Sequence, residues 1–160
     1  MTYAGNRRII DVDSHLFELD DFLDSVATEE EKTFIQPMHA QTELPVSLEA
    51  IERGREHLDR RNADPELMSK FESGMFDIGR SPWSRLGAFD PSERSHALDV
   101  LGFQRQVVLG TFAFHQIARE ENAKALEIGS RVYNRALGRF CAHDDRLLAG
   151  GYVPLSLGPD

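Results

Sequence analysis

The first regular pattern in the chain is an alternation, in which Ile10, Val12 and Ser14 interleave with Asp11, Asp13 and His15. A period of two belongs to a strand, so a first strand is predicted over about residues 8–13, with the three polar groups on one face and Ile10, Val12 and Ser14 on the other. Leu19 to Leu23 reads as a short helical turn with its acidic residues outward. Thr28-Glu29-Glu30-Glu31 has the form of a capping box, which predicts a short helix that Pro37 ends. Ser47 heads a longer helix through about Arg61, with Leu48, Ile51, Arg55 and Leu58 on one stripe, until Asn62-Ala63-Asp64-Pro65 breaks it. Residues 65–90 carry no period. Gly74, Gly79, Pro82 and Gly87 punctuate Met75, Phe76, Ile78, Trp83, Leu86 and Phe89, which predicts an ordered loop packed on the rest of the protein.

Regularity returns at Asp90-Pro91, an N-cap followed by proline at the first helical position, with Gly102 just past the end of a helix that buries Ala97, Leu98 and Leu101. Gln106 to Thr111 is a near-continuous apolar run of strand length. Such a run suits a strand covered on both faces, hence a parallel sheet. A long helix is predicted over about 117–142, with Ala118, Asn122, Ala125, Ile128, Val132, Ala136 and Phe140 near one stripe. Leu147 to Val153 reads as a further strand that Pro154 closes. Strands separated by helices define an α/β protein with parallel strands. All strand C-termini then lie on one edge, so Asp13 with His15, residues 112–115, and Pro154 onward share a rim. In α/β folds that rim carries the chemistry.

Composition narrows the function classes. The 160 residues suffice for one domain with a core, and apolar and charged fractions of 41% and 28% fall in the globular range. A net charge of −9 without a basic cluster argues against nucleic acid and anionic membrane as partners. Cys141, the single cysteine, excludes an internal disulfide and a thiolate metal site, and its helical context predicts a buried packing residue. The N-terminus has no apolar leader and no segment reaches membrane-span length, so a cytoplasmic protein is the expectation.

Two carboxylates and an imidazole side by side on a strand need compensation, because burying unpaired charge is expensive. The least costly explanation is a divalent metal held by Asp13 and His15, ligand types that suit zinc, iron and manganese. The plainer explanation is a strand-end Asp that caps the next turn, beside a histidine bonded to backbone. Asp11, one pleat deeper, is a candidate support for the ligands or a satisfied buried carboxylate. Glu18 is a candidate substrate contact or a helix cap, and His115, after the second strand, a candidate substrate contact or a loop residue. Asn134 reads as structural, tying its helix to neighbouring backbone. His143 precedes a strand and belongs to the opposite end of the sheet, while His39, His57 and His96 read as surface residues. Trp83 and Phe89 are candidates for an apolar lining or for the core.

Three motifs together resemble the N-terminal part of the amidohydrolase-related family, which contains aminocarboxymuconate-semialdehyde decarboxylase. They are Ile10-Asp11-Val12-Asp13-Ser14-His15 with Glu18; Arg94 to Thr111, including Leu98-Asp99-Val100-Leu101-Gly102-Phe103; and Tyr133-Asn134-Arg135 with Phe140-Cys141, then Asp145-Arg146-Leu147 and Gly151-Tyr152-Val153-Pro154-Leu155. The resemblance implies a (β/α)8 barrel of the TIM type with a metal, zinc first, at its C-terminal mouth. The family opens commonly on His-x-His, with Asp-x-His or Glu-x-His in some branches, so Asp13 and His15 inherit the ligand role. It implies hydrolysis of a C–N or C–O bond in a small carbonyl or carboxylate substrate. Non-oxidative decarboxylation on the same scaffold is the alternative, and a non-catalytic α/β fragment or a small cation-binding domain are others. The remaining ligands and the general base would come from later strands. Two ligands do not make a catalytic zinc site, and three strands do not close a barrel. The chain is therefore expected to be a fragment of a protein about twice as long, inactive alone and prone to self-association through its exposed strand edges.

Overall fold

The computed structural model describes residues 2–37, 48–75 and 84–158. Strands β1 (Ile10–Leu16), β2 (Arg105–Gly110) and β3 (Leu147–Ala149) form one parallel sheet in the order β1-β2-β3. Helices α1 (Glu29–Lys32), α2 (Leu48–Ala63), α3 (Pro65–Ser73) and α4 (Pro91–Leu101) lie between β1 and β2. Helices α5 (Phe112–Ala118) and α6 (Ala123–Cys141) lie between β2 and β3. The α/β class, the parallel sheet and the helical excursion after the first strand are those the pattern predicts. Among the described residues no helix is long and apolar enough to cross a membrane.

Most helices start where a side chain takes the free amides of the first turn. Thr28 and Glu31 close the capping box of α1, with Thr28 N–H donating to Glu31 Oε2 (2.8 Å) and Glu31 N–H to Thr28 Oγ1 (3.2 Å). Asp90 accepts from Glu93 N–H at 2.8 Å, Pro91 follows it, and Gly102 ends α4 at φ +73°, where a side chain would be strained. Asp64-Pro65 repeats this start. Asp64 accepts from the amides of Glu66 and Leu67, so α3 occupies part of the stretch read as an irregular loop.

The long helix predicted over 117–142 is two helices. Asn122, assigned to the buried stripe, is the exposed N-cap of α6 and accepts from the amides of Lys124 and Ala125. A short amide side chain that bonds its own downstream backbone competes with helix continuation, and here it interrupts the helix. β3 is shorter than predicted, ending at Ala149, with a 3-10 turn at Leu155–Leu157. The expectations for His39, the Ser47 cap, Phe76, Ile78, Gly79, Pro82 and Trp83 lie outside the described residues.

One face of the sheet is packed. Leu16, Val108 and Leu147 join Leu98 of α4 and Val132, Leu137 and Phe140 of α6 in a single core. Cys141 is buried there, as expected, and burial pushes its thiol up to about 11. Burial alternates along β2, with Gln106, Val108 and Gly110 buried but Val107 and Leu109 only half-buried. The strand is thus not covered on both faces as its apolar run suggests. Leu148, register partner of Val107, is exposed on the same uncovered side.

The buried stripe of α2 runs through Ile51, Gly54 and Arg61, while Arg55, placed on it by the pattern, is exposed and pairs with Asp21 at 3.0 Å. Ile51 packs with Phe17, Leu19, Phe89 and Phe112, so Phe89 is a half-buried member of a second, smaller apolar cluster and α2 lies against the C-terminal end of the sheet. Arg61, 1% exposed, anchors this excursion to α4. Its Nε and Nη2 donate to the two carboxylate oxygens of Glu93 at 2.6 and 2.9 Å, and Gly87 N–H completes the carboxylate's shell at 2.7 Å.

Candidate functional site

The register of β1 against β2 slips between Asp11 and Ser14. Asp11 is opposite Gln106 and Ser14 is opposite Val108, so Val12 and Asp13 together face one residue of β2. This bulge breaks the alternation that placed Asp11, Asp13 and His15 on one face. Asp11 turns toward the packed side, where Gln106 Nε2 donates to its Oδ2 at 2.9 Å. Its other oxygen accepts from Asp13 N–H at 3.1 Å, so its contact with the predicted ligand pair is made through the main chain. Ile10 and Val12, placed by the alternation on the opposite face with Ser14, are 55% and 66% exposed, while Ser14 is buried.

Arg94 of α4 fixes the same strand from beneath. Nη1 donates to Ser14 Oγ (2.6 Å) and Gln106 Oε1 (3.3 Å), and Nη2 donates to the His15 carbonyl (2.8 Å). Burial lowers its pKa to about 10, against the opposing pull of Asp11, so the guanidinium stays charged at neutral pH. A buried, charged, multidentate donor holds a strand end well, because shifting the backbone would strand the charge.

Asp13 and His15 do come together, on the uncovered side near the C-terminal end of β1. Asp13 Oδ1 lies 3.4 Å from His15 Nε2, with the side chains 83% and 45% exposed. A charge-assisted hydrogen bond would close to about 2.7–2.9 Å. Two donor atoms on a tetrahedral zinc, each about 2.0–2.1 Å from the ion, stand about 3.3 Å apart. The observed spacing suits two neighbouring ligands of such an ion better than a direct bond. The other ring nitrogen, Nδ1, lies 3.1 Å from Thr111 Oγ1, which leaves Nε2 on the side of Asp13. Among the described residues there is no group of three or more His, Cys, Asp or Glu side chains placed to hold a metal ion.

Glu18 has no exposed surface. Its Oε1 accepts from Thr111 N–H and its Oε2 from Phe112 N–H, both at 2.9 Å. It therefore occupies the start of α5, the helix after β2, and not the start of the segment that follows it in sequence. Burial pushes its pKa up to about 7, partly offset by the backbone amides, including that of Ala113. Tyr133 contributes from α6, its hydroxyl accepting from Gly110 N–H at 3.0 Å, and burial raises its own pKa to about 12. Gly110 is required by this close approach, because a Cβ there would stand 2.6 Å from Glu18 Oε1 and 2.7 Å from the Tyr133 ring and hydroxyl.

His115 sits within α5, half-buried and edge-on to Phe114, at 6.4 Å between ring centroids. Asn134 ties α6 to the segment after β3 by two bonds, donating to Tyr152 O at 2.8 Å and accepting from Tyr152 N–H at 2.7 Å. His143 is exposed in the turn before β3, at the other end of the sheet. His57 and His96 are less free than surface residues, bonded to Ser84 Oγ (2.9 Å) and Glu72 Oε1 (2.7 Å). The reading of the sequence missed Thr111, Arg94 and the Arg61–Glu93 pair. For Thr111 a signal existed, its place as the first residue past a parallel strand on the rim.

Protein-family models, curated proteins and solved structures were each compared with the chain, and none matches it.

Proposed function

We propose that this chain is the N-terminal part of a metal-dependent hydrolase of the amidohydrolase-related type, its sheet the opening strands of a (β/α)8 barrel. Asp13 and His15 hold a divalent cation, zinc first, at the C-terminal rim. The observation that carries this reading is the 3.4 Å spacing of Asp13 Oδ1 and His15 Nε2, with both groups accessible. When bound, the cation supplies an acidified water and polarises a substrate carbonyl or carboxylate. Arg94 and Asp11 hold the β1 backbone through the ligand segment, and the Glu18 carboxylate keeps the adjoining turn in place. A catalytic zinc takes three protein ligands, so a third and the general base come from beyond these two residues. Decarboxylation would use the same cation to hold a substrate carboxylate, and release of carbon dioxide would distinguish it from hydrolysis. The uncovered side of the sheet, with Ile10, Val12 and Leu148 exposed, supports self-association of the chain as it stands.

The test is elemental analysis and zinc titration of the purified protein beside Asp13→Ala and His15→Ala. Near-stoichiometric zinc in the wild type, its shell completed by solvent or a neighbouring copy of the chain, and lost in both variants, is the expected result. A wild type that takes up no zinc, manganese or iron, or variants that keep the metal, would end this reading.

A further inference from the structure

Thr111 stands at the N-cap of α5, where a threonine hydroxyl ordinarily accepts an amide of its own first turn. Here the hydroxyl makes no such bond. Glu18 accepts from the N-cap amide and the first amide of the helix, Thr111 N–H and Phe112 N–H, at 2.9 Å each. Thr111 Oγ1 lies 3.1 Å from His15 Nδ1. The turn that carries it is held by consecutive amides, Gly110 to the Tyr133 hydroxyl, then Thr111 and Phe112 to Glu18.

We propose that Thr111 is a positioning residue for His15: its hydroxyl fixes the imidazole plane and commits Nδ1, so that Nε2 faces the cation position beside Asp13. Glu18 holds the turn that presents that hydroxyl. A hydroxyl suits the role because it can donate to a bare nitrogen or accept from an N–H. The ring therefore keeps its partner in either tautomer, including the one that leaves Nε2 free to bind a metal. This deepens the reading of His15 as a ligand and depends on it for its functional meaning.

The experiment compares wild type with Thr111→Val, which keeps the branched shape and removes the hydroxyl, and with Thr111→Ser, which restores it. Long-range proton–nitrogen spectra of the histidine rings report the Nδ1 environment of His15 without any metal, and zinc titration calorimetry reports affinity. Thermal melts confirm that each variant is folded. The Nδ1 resonance should move in Thr111→Val and return in Thr111→Ser. Zinc affinity should fall roughly 10- to 100-fold in Thr111→Val, with Ser close to wild type. A folded Thr111→Val with unchanged Nδ1 resonance and unchanged zinc affinity overturns the proposal. If wild type itself binds no zinc, the cation reading falls and the metal-free spectra alone decide whether Thr111 orients the ring: a resonance that does not move overturns it, and one that moves and is rescued by Ser supports it.

Discussion

Glu18 ties the fold to the candidate site, and its burial makes a quantitative demand on stability. Its carboxyl titrates near 4.5 when solvated and is pushed up to about 7 in the folded protein, chiefly by burial. Below the lower value it is protonated in both folded and unfolded chains and has no effect on the pH dependence. As pH rises from there toward about 7, the unfolded chain releases its proton first, so folding becomes less favourable. Above the upper value both states are ionised and the full penalty stands. At about 1.4 kcal/mol per tenfold change in proton affinity, the gap amounts to about 3 kcal/mol. Glutamine does not titrate, but its amide nitrogen cannot accept as both carboxylate oxygens do from Thr111 and Phe112 N–H, so Glu18→Gln carries a cost that is the same at every pH. On top of that constant offset, wild type should lose about 2–3 kcal/mol relative to Glu18→Gln between pH 5 and pH 8. Urea unfolding followed by circular dichroism reads this as a midpoint difference on the order of 1 M that opens with pH. Subtracting the two curves removes other groups, such as Asp144, whose carboxyl is held well below the usual range by the Arg146 guanidinium and contributes the opposite slope. Parallel curves for the two proteins would refute the argument that burial dominates over the amide bonds.

The Arg61–Glu93 pair gives a second expectation: Glu93→Ala strands a guanidinium that is 1% exposed and should lower stability by about 3–5 kcal/mol in urea unfolding. Arg61→Met with Glu93→Leu should recover most of that loss, and a loss below about 1 kcal/mol in Glu93→Ala would show that the pair does not anchor α2. Gly110→Ala places a Cβ 2.6 Å from Glu18 Oε1 and 2.7 Å from Tyr133, and should cost about 1–3 kcal/mol in a thermal melt. A neutral Gly110→Ala would mean that the turn gives way easily. If the uncovered sheet face drives self-association, Val12→Lys combined with Leu148→Lys should shift the sedimentation distribution toward monomer, and an unchanged distribution would place the contact elsewhere.

The parts of the fold legible in the sequence are those decided within one helical turn or one strand. The capping box of Thr28 and Glu31 involves residues three apart, and Asp90, Pro91 and Gly102 bound α4 by local backbone preferences. The apolar run of β2 marks a strand wherever it is placed. Asp64-Pro65 is an equally local start signal, for α3. Bringing Asp13 and His15 together needed only the period of two over three residues, which the bulge left intact.

Tertiary structure decided everything that depends on register or on distant partners. The slip between Asp11 and Ser14 sends Asp11 to the packed side, because a single extra residue reverses the face of every side chain beyond it. Thr111 meets His15 across 96 residues, and Glu18 caps a helix 93 residues downstream. No local preference encodes those pairings. They form because the core of Leu16, Val108 and Leu147 aligns the strands and thereby brings their ends to one rim. The sequence alone thus determined most of the elements and the nearness of Asp13 to His15, while the packed sheet decided which groups hold that pair of side chains in place.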